Sequence, residues 1–361
     1  MFTGVKLGKM IPLILECVQD LTQNLKKYPI NGNDLNLKEM SGNYTMDVIA
    51  RCAFALNIDP YEDVDNPFVK SANSIFHPKL SKIITVFVLP KFVLNLLKIG
   101  SMFDEKSNQF IFNLSRKLLK ERRNTTKVFN DLLQLMIDTS KDETNGSNSG
   151  KGLTDNEIIA QSWLFLLAGY ETTSTGITFC LYELALNPDI QERLYEELQT
   201  ALDSNNNFDY EELLKLPFLD AVISEALRLY PPFLRIEREA KTDYQLGETG
   251  LTIEAGLLVH ISIYGVHHNE EFFPEPEKFE PDRFMPPNKD KIIPYSYLPF
   301  AVGPRNCVAM RFALMEMKFC IANLINAFRL SPNSRTDIPP KFLSATHLCT
   351  TEPLIVSITN R

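Results

Sequence analysis

Phe300-Ala301-Val302-Gly303-Pro304-Arg305-Asn306-Cys307 is the stretch on which the rest of the chain is read. It is a tight loop, punctuated by glycine and proline, that delivers one cysteine to the start of an apolar, helix-forming run from Met310 to Cys320. A sulfur at a helix N-terminus, two residues after an arginine, favours the thiolate. The orphan N–H groups of the first turn point at it, and the helix dipole adds partial positive charge. A loop-presented thiolate with no second cysteine nearby suits axial ligation of haem iron. The plainer reading of Cys307 is a buried structural cysteine at a loop–helix junction, and the loop alone does not choose between the two.

Three further segments bear on the choice. Thr154-Asp155-Asn156-Glu157 is a capping box, with Thr154 as N-cap and Glu157 at the third helical position. Helix formers and apolar residues then run to the stop signal Asn187-Pro188. That predicts a helix of roughly 30 residues, much longer than is usual in globular proteins. In its middle sits Ala168-Gly169-Tyr170-Glu171-Thr172-Thr173, a poor choice for a helix interior on propensity alone. Gly169 lets another group approach the backbone, and the hydrogen-bond ladder can open there. Thr172 offers a hydroxyl, with Glu171 beside it as an acid able to renew a proton. A helix–helix contact made of small residues is the plainer account of the same letters.

The second segment is Glu225-Ala226-Leu227-Arg228, an acid and a base at i, i+3 on one helix face. Alone it is ordinary surface decoration. The third is the proline-laced run from Phe273 to Phe284, which cannot be regular helix or sheet and which carries Arg283 between apolar residues.

In this order the segments resemble the cytochromes P450. The family's haem loop reads Phe-x-x-Gly-x-Arg-x-Cys-x-Gly, and Phe300, Gly303, Arg305 and Cys307 match it. The chain departs at the last position, where Ala309 replaces glycine; the cost is small if the backbone there is helical and larger if it needs positive φ. The family's helix pattern, Ala/Gly-Gly-x-Asp/Glu-Thr-Thr/Ser, is met in full by Ala168 to Thr173. Both segments look most like the clan of vertebrate drug-metabolising and arthropod detoxification enzymes.

The resemblance implies a mainly α fold with a small β part, the cytochrome P450 fold, N-terminally incomplete. It implies one catalytic domain over residues 1–361, the C-terminal three quarters or so of the family domain. Haem b (iron protoporphyrin IX) would be the cofactor, with Cys307 as axial ligand of the iron. Phe300, Gly303 and Ala168 would contact the haem, and Arg305 and Arg238 would face its propionates. Arg238 stands within Arg235-Ile236-Glu237-Arg238-Glu239, which reads equally well as a solvated charge cluster. Glu225, Arg228 and Arg283 would form a buried cluster that braces the cysteine loop. Thr172 and Glu171 would manage protons. Phe165, Leu167, Phe233, Leu234, Thr346 and His347 would line the substrate.

The implied reaction is monooxygenation: one atom of dioxygen enters a lipophilic organic substrate, with electrons from NADPH through NADPH–cytochrome P450 reductase. The implied setting is the cytosolic face of the endoplasmic reticulum membrane for the full-length parent. The chain has no N-terminal apolar run long enough to span a bilayer. It also lacks the family's early Trp-x-x-x-Arg, since four residues after its single tryptophan, Trp163, stands Leu167. Three alternatives accompany this reading. One is a truncated, haem-free inactive remnant. Another is a reductase-independent isomerase or dehydratase, against which the Glu171-Thr172 pair argues. The third is a metal protein using His260, His267 and His268, weakened because neighbours on a strand cannot face one ion.

Composition agrees with an ordinary globular chain: 361 residues, 44% hydrophobic and 23% charged. A net charge of −8 argues against a nucleic-acid partner. Six cysteines are scattered singly with no CxxC spacing, unlike a disulfide framework. Helical periodicity runs to about residue 230 and mixed structure follows. Asp138 to Gly152 reads as a polar loop. Leu251–Ile253 and Leu257–Tyr264 read as a hairpin, and Leu343–Cys349 with Leu354–Ile358 as a second strand pair. Ile83 to Ile99 is apolar but broken by Pro90, Lys91 and Lys98, so it reads as dipping into a membrane interface or packing on the core. Arg116 to Arg123 is a basic helical face.

Overall fold

The long helix starts where the capping box places it. In this computed structural model it spans Asp155–Leu186, 32 residues. The Thr154 N–H donates to Glu157 Oε2 at 2.7 Å, and the Glu157 N–H returns to Thr154 Oγ1 at 3.3 Å. Pro188 ends it and opens the next helix, Pro188–Gln199. The structure describes residues 7–27, 34–61, 63, 65–76, 84–86, 88–96, 103–125, 127, 129–142, 152–204, 207–343 and 348–361. The chain divides into two compact units. One holds the residues up to Asn24 together with Met40–Ser174, the other Leu25–Glu39 together with Thr175–Arg361.

The first unit is helical. Leu119, Leu133, Met136, Ile137, Ile158 and Ile159 form a buried cluster between the helices Glu105–Arg123 and Leu132–Asp142 and the start of the long helix. Arg51 ties the helix Leu37–Phe54 to Ile11–Leu25. It binds Asp47 at 2.9 Å and reaches Glu16 at 3.1 Å and Asp20 at 2.6 Å. The long helix runs unbroken through Ala168–Thr173, so the expected opening of its ladder is not present. Gly169 serves packing instead: a Cβ there would stand 2.6 Å from Ile49 Cδ1. The polar stretch beginning at Asp138 is helical as far as Asp142, with the Thr139 hydroxyl donating to Leu135 O at 2.7 Å and the Ser140 hydroxyl to Leu153 O at 2.8 Å; residues 143–151 lie outside the described residues.

The second unit combines the helices Pro188–Gln199, Pro217–Leu229 and Met310–Ala327 with all of the sheet structure among the described residues. Strands β1 (Asp34–Asn36), β7 (Ile355–Asn360) and β6 (Phe328–Ser331) form one antiparallel sheet in the order β1-β7-β6. Strands β2 (Arg235–Glu239) and β5 (Leu258–Ser262) pair antiparallel, as do β3 (Tyr244–Gln245) and β4 (Thr252–Ile253). The expected hairpin is therefore corrected. Its two strands exist, but each pairs with an earlier partner, and Ile263–His267 is a short helix. The C-terminal strand likewise pairs with β6 and β1 rather than with the 343–349 segment. Among the described residues that segment contributes one isolated bridge, Phe233–Leu348, and a second, Phe342–Thr351, flanks it. The architecture is mainly α with a small β part, as expected.

Candidate active site

Glu225, Arg228 and Arg283 come together in the second unit. The helix Pro217–Leu229 places the first two one turn apart on its buried side, where both are 0% exposed. Arg228 grips the Glu225 carboxylate with both faces of its fork, Nε to Oε2 at 2.7 Å and Nη2 to Oε1 at 2.9 Å. Arg283 enters from the short turn Pro281–Phe284 and donates from Nε to Glu225 Oε1 at 3.2 Å. The Glu280 N–H adds a further bond to Glu225 Oε1 at 2.9 Å. Arg228 also holds two main-chain carbonyls, His267 O at 2.9 Å and Lys278 O at 3.2 Å. Arg283 also pairs with Glu280 Oε2 at 3.4 Å, so the two guanidiniums face two carboxylates and every charge is matched, which is what burial of ions demands.

Sequence reasoning missed the residue that joins this cluster to the cysteine loop. His267 is 0% exposed. Its Nε2 receives the Leu298 N–H at 2.7 Å, and its Nδ1 lies 3.1 Å from Arg228 O. A backbone N–H can only donate, so Nε2 is the acceptor and Nδ1 carries the proton. Burial pushes the ring's pKa down to about 3, so it is neutral. Tyr297 stacks on His267 and its hydroxyl donates to Ser224 O at 3.1 Å. Leu298 and Tyr297 lead directly into Phe300, so the cluster fixes the loop by its first residues. No sequence pattern marks a histidine whose partners are main-chain atoms. The three-histidine metal reading fails on the same geometry. His267 spends both nitrogens on the backbone, and His260 faces Glu237 at 3.1 Å. Among the described residues no group of three or more His, Cys, Asp or Glu is placed to hold a metal ion.

The loop itself matches its sequence logic closely. Gly303 has φ +83°, in the region that favours glycine, and space is open where its Cβ would stand. The Cys307 N–H donates to Phe300 O at 2.8 Å, closing the loop. Ala309 has φ −96°, so the departure from the family's glycine carries no left-handed strain. One expectation is corrected. The helix Met310–Ala327 starts three residues after Cys307, so the thiol does not sit on its first turn. Cys307 is exposed as a residue, but partial desolvation by loop atoms raises its thiol pKa, with the Ala309 N–H pulling the other way. Arg305 does not enter the balance. Coordination itself deprotonates a thiol, so ligation needs no prior lowering.

The surroundings of Cys307 fit a haem. Val302 and Val308 beside it are exposed apolar residues, 48% and 72%, around an exposed sulfur. Arg238, on β2, sends Nη2 to Arg305 O at 3.4 Å. The guanidinium of Arg305 is exposed and makes no ion pair among the described residues. An apolar, thiol-bearing surface with two cations at its edge suits a flat lipophilic ligand with carboxylate tails. Phe233 is exposed and Leu234 half-buried at the head of β2 in the same unit.

In the first unit, Leu164, Ala168 and Thr172 follow one another at four-residue spacing on the open side of the long helix. Leu164 is exposed and apolar, and Thr172 is half-buried. The Thr172 hydroxyl donates to Ala168 O at 2.6 Å, leaving its lone pairs to accept from another group. Glu171, the residue before Thr172 on the helix, is only 8% exposed. Phe165 and Leu167 are half-buried. Trp163 donates to Asn108 Oδ1 at 3.1 Å and packs on Phe103, so it is committed to the helix packing of this unit. Thr346 and His347 lie outside the described residues.

Comparison with known proteins gives the family. The family model described as Cytochrome P450 matches residues 1–358. The whole chain aligns with 71% of Cytochrome P450 3A28 of Bos taurus, at 38% identity over 366 residues. It aligns with 72% of Cytochrome P450 3A7 of Homo sapiens at the same identity, and with 72% of Lithocholate 6-beta-hydroxylase of Mesocricetus auratus, also at 38%.

Proposed function

The chain belongs to the cytochrome P450 family, and on that premise we propose that Cys307 is the axial ligand of its haem b and that the residues around it serve one monooxygenase site. The observation that carries this reading is the continuous bracing from the buried Glu225–Arg228–Arg283 cluster through His267 to Leu298, which presents an exposed Cys307. Bound there, the haem supplies dioxygen activation and transfer of one oxygen atom to carbon. The residues of the chain do the rest. Arg305 and Arg238 hold carboxylate tails by charge. Thr172 holds a water or proton donor through its open lone pairs, and Glu171 is the buried acid that renews the proton. Phe165, Leu167 and Ala168 in the first unit, and Phe233 and Leu234 in the second, would each contribute apolar surface for a lipophilic substrate. The relative named for lithocholate hydroxylation supports a polycyclic apolar substrate class.

Electrons come from NADPH through a flavoprotein reductase, since an acid–alcohol pair serves proton delivery that an isomerase does not need. The test is turnover of the haem-loaded chain with reductase, NADPH and isotopically labelled dioxygen. One labelled oxygen should enter each product molecule. Thr172→Ala should lower product formed per NADPH by about a hundredfold or more, the lower end of what a positioned proton-transfer group contributes. Product formed without reductase or NADPH would place the chain among the isomerases instead.

The setting we propose is a membrane surface facing the cytosol, that of the endoplasmic reticulum. Among the described residues no helix is long and apolar enough to cross a membrane. Val88, Phe92 and Leu96, four residues apart, are 71%, 74% and 81% exposed, so the apolar stretch does not pack on the core over these positions. They support dipping into the lipid interface. Phe92→Ser with Leu96→Ser should weaken co-sedimentation with phospholipid vesicles several-fold; undiminished binding would exclude this stripe as the contact.

A further inference from the structure

A concave site that shares no lining residue with the cysteine loop lies within the first unit between the helix Glu105–Arg123 and the start of the long helix. The groove has a volume of about 510 Å3. Arg116, Lys120 and Arg123 line it at i, i+4 and i+7 of one helix, and Leu119 and Ile159, both buried, form its floor. One acid faces them: Asp155, paired with Arg123 at 2.5 Å. Arg116 and Lys120 are exposed and have no carboxylate within ion-pair distance among the described residues. The groove therefore carries an uncompensated charge of about +2 on a chain whose net charge is −8. Unpaired cations above an apolar floor are complementary to a molecule with an anionic head and an apolar body. A flat lipid surface would meet the cations but could not enter a groove to reach Leu119 and Ile159.

We propose that this groove binds a small amphipathic organic anion, a carboxylate or sulfonate on an apolar ring system, with Arg116 and Lys120 holding the anionic group and Leu119 and Ile159 the ring. No residue of the Phe300–Cys307 loop lines the groove.

The single tryptophan gives a direct readout, because Trp163 follows Ile159 by about one turn on the long helix. The probe is dansylglycine, a carboxylate whose ring accepts tryptophan emission, and the control is dansylamide, the same ring without the charge. With the haem-loaded chain, dansylglycine should quench Trp163 without shifting the Soret band. Dansylamide should bind at least about tenfold more weakly. Arg116→Glu with Lys120→Glu should lose dansylglycine binding by at least the same factor, and raised salt should weaken it in the parent chain. If the reversed pair lowers the melting temperature, Arg116→Gln with Lys120→Gln makes the same comparison. Equal affinity for the two probes, binding retained in the charge variants, or binding that moves the Soret band would each overturn the proposal. So would capture by phosphatidylserine vesicles with no uptake of free dansylglycine, which would assign the cations to a lipid surface.

Discussion

Arg228→Ala is expected to destabilise the chain by about 3–5 kcal/mol, the cost of leaving a buried carboxylate without its partner. Glu225 is 0% exposed, and Arg228 supplies two of the bonds that hold its charge. Arg283 remains, but it offers a single bond to Glu225 at 3.2 Å. The loss also frees the buried His267 O and the part-buried Lys278 O, two acceptors that no lysine at 228 could meet together with the carboxylate. Arg228→Lys is therefore expected to recover little. Urea denaturation of the two variants checks this. Stability within about 1 kcal/mol of the parent would mean that the cluster relaxes or admits water, against a bracing role.

Acid is expected to unfold the second unit through His267. Its ordinary value is 6.5 and burial depresses it to about 3, with the Arg228 guanidinium and His268 acting in the same direction. Above pH 6.5 both folded and unfolded chains hold the ring neutral and its contribution is complete. Between pH 6.5 and 3 the unfolded chain takes up a proton that the folded chain refuses, so stability falls with falling pH. A shift of that size corresponds to up to about 4–5 kcal/mol. The molecular reason is that protonated Nε2 would confront the Leu298 N–H, donor against donor. His267→Leu removes the titration and leaves two main-chain groups unmet, at about 1–3 kcal/mol each. The variant should be weaker at neutral pH, and its stability should decline less steeply below pH 6.5. Parallel pH curves for parent and variant would contradict this assignment.

What could be read in the sequence was local chemistry. The capping box at Thr154, the glycine that takes φ +83° before Cys307, and the acid–base pair of Glu225 and Arg228 each signal through residues close in the chain. Strand pairing was not local. Leu258–Ser262 looked like half of a hairpin with its neighbour, but its partner is Arg235–Glu239. Four of those five residues are charged, so they read as a solvated cluster and not as a strand. The thiol was misjudged because Cys307 lies three residues before the helix that begins, as its apolar run indicates, at Met310, outside the first turn whose N–H groups would act on the sulfur. His267 was invisible because its partners, Arg228 O and the Leu298 N–H, are backbone atoms that any residue would supply.

The central claim is that Cys307 ligates haem iron on this chain, and the carbon monoxide difference spectrum of the reduced, haem-loaded protein tests it most directly. The Soret band should lie at the position of a thiolate-ligated haem, and Cys307→Ala should abolish that band. A spectrum lacking the thiolate band in the parent, or one that Cys307→Ala leaves unchanged, would contradict the account and favour an inactive remnant of the family.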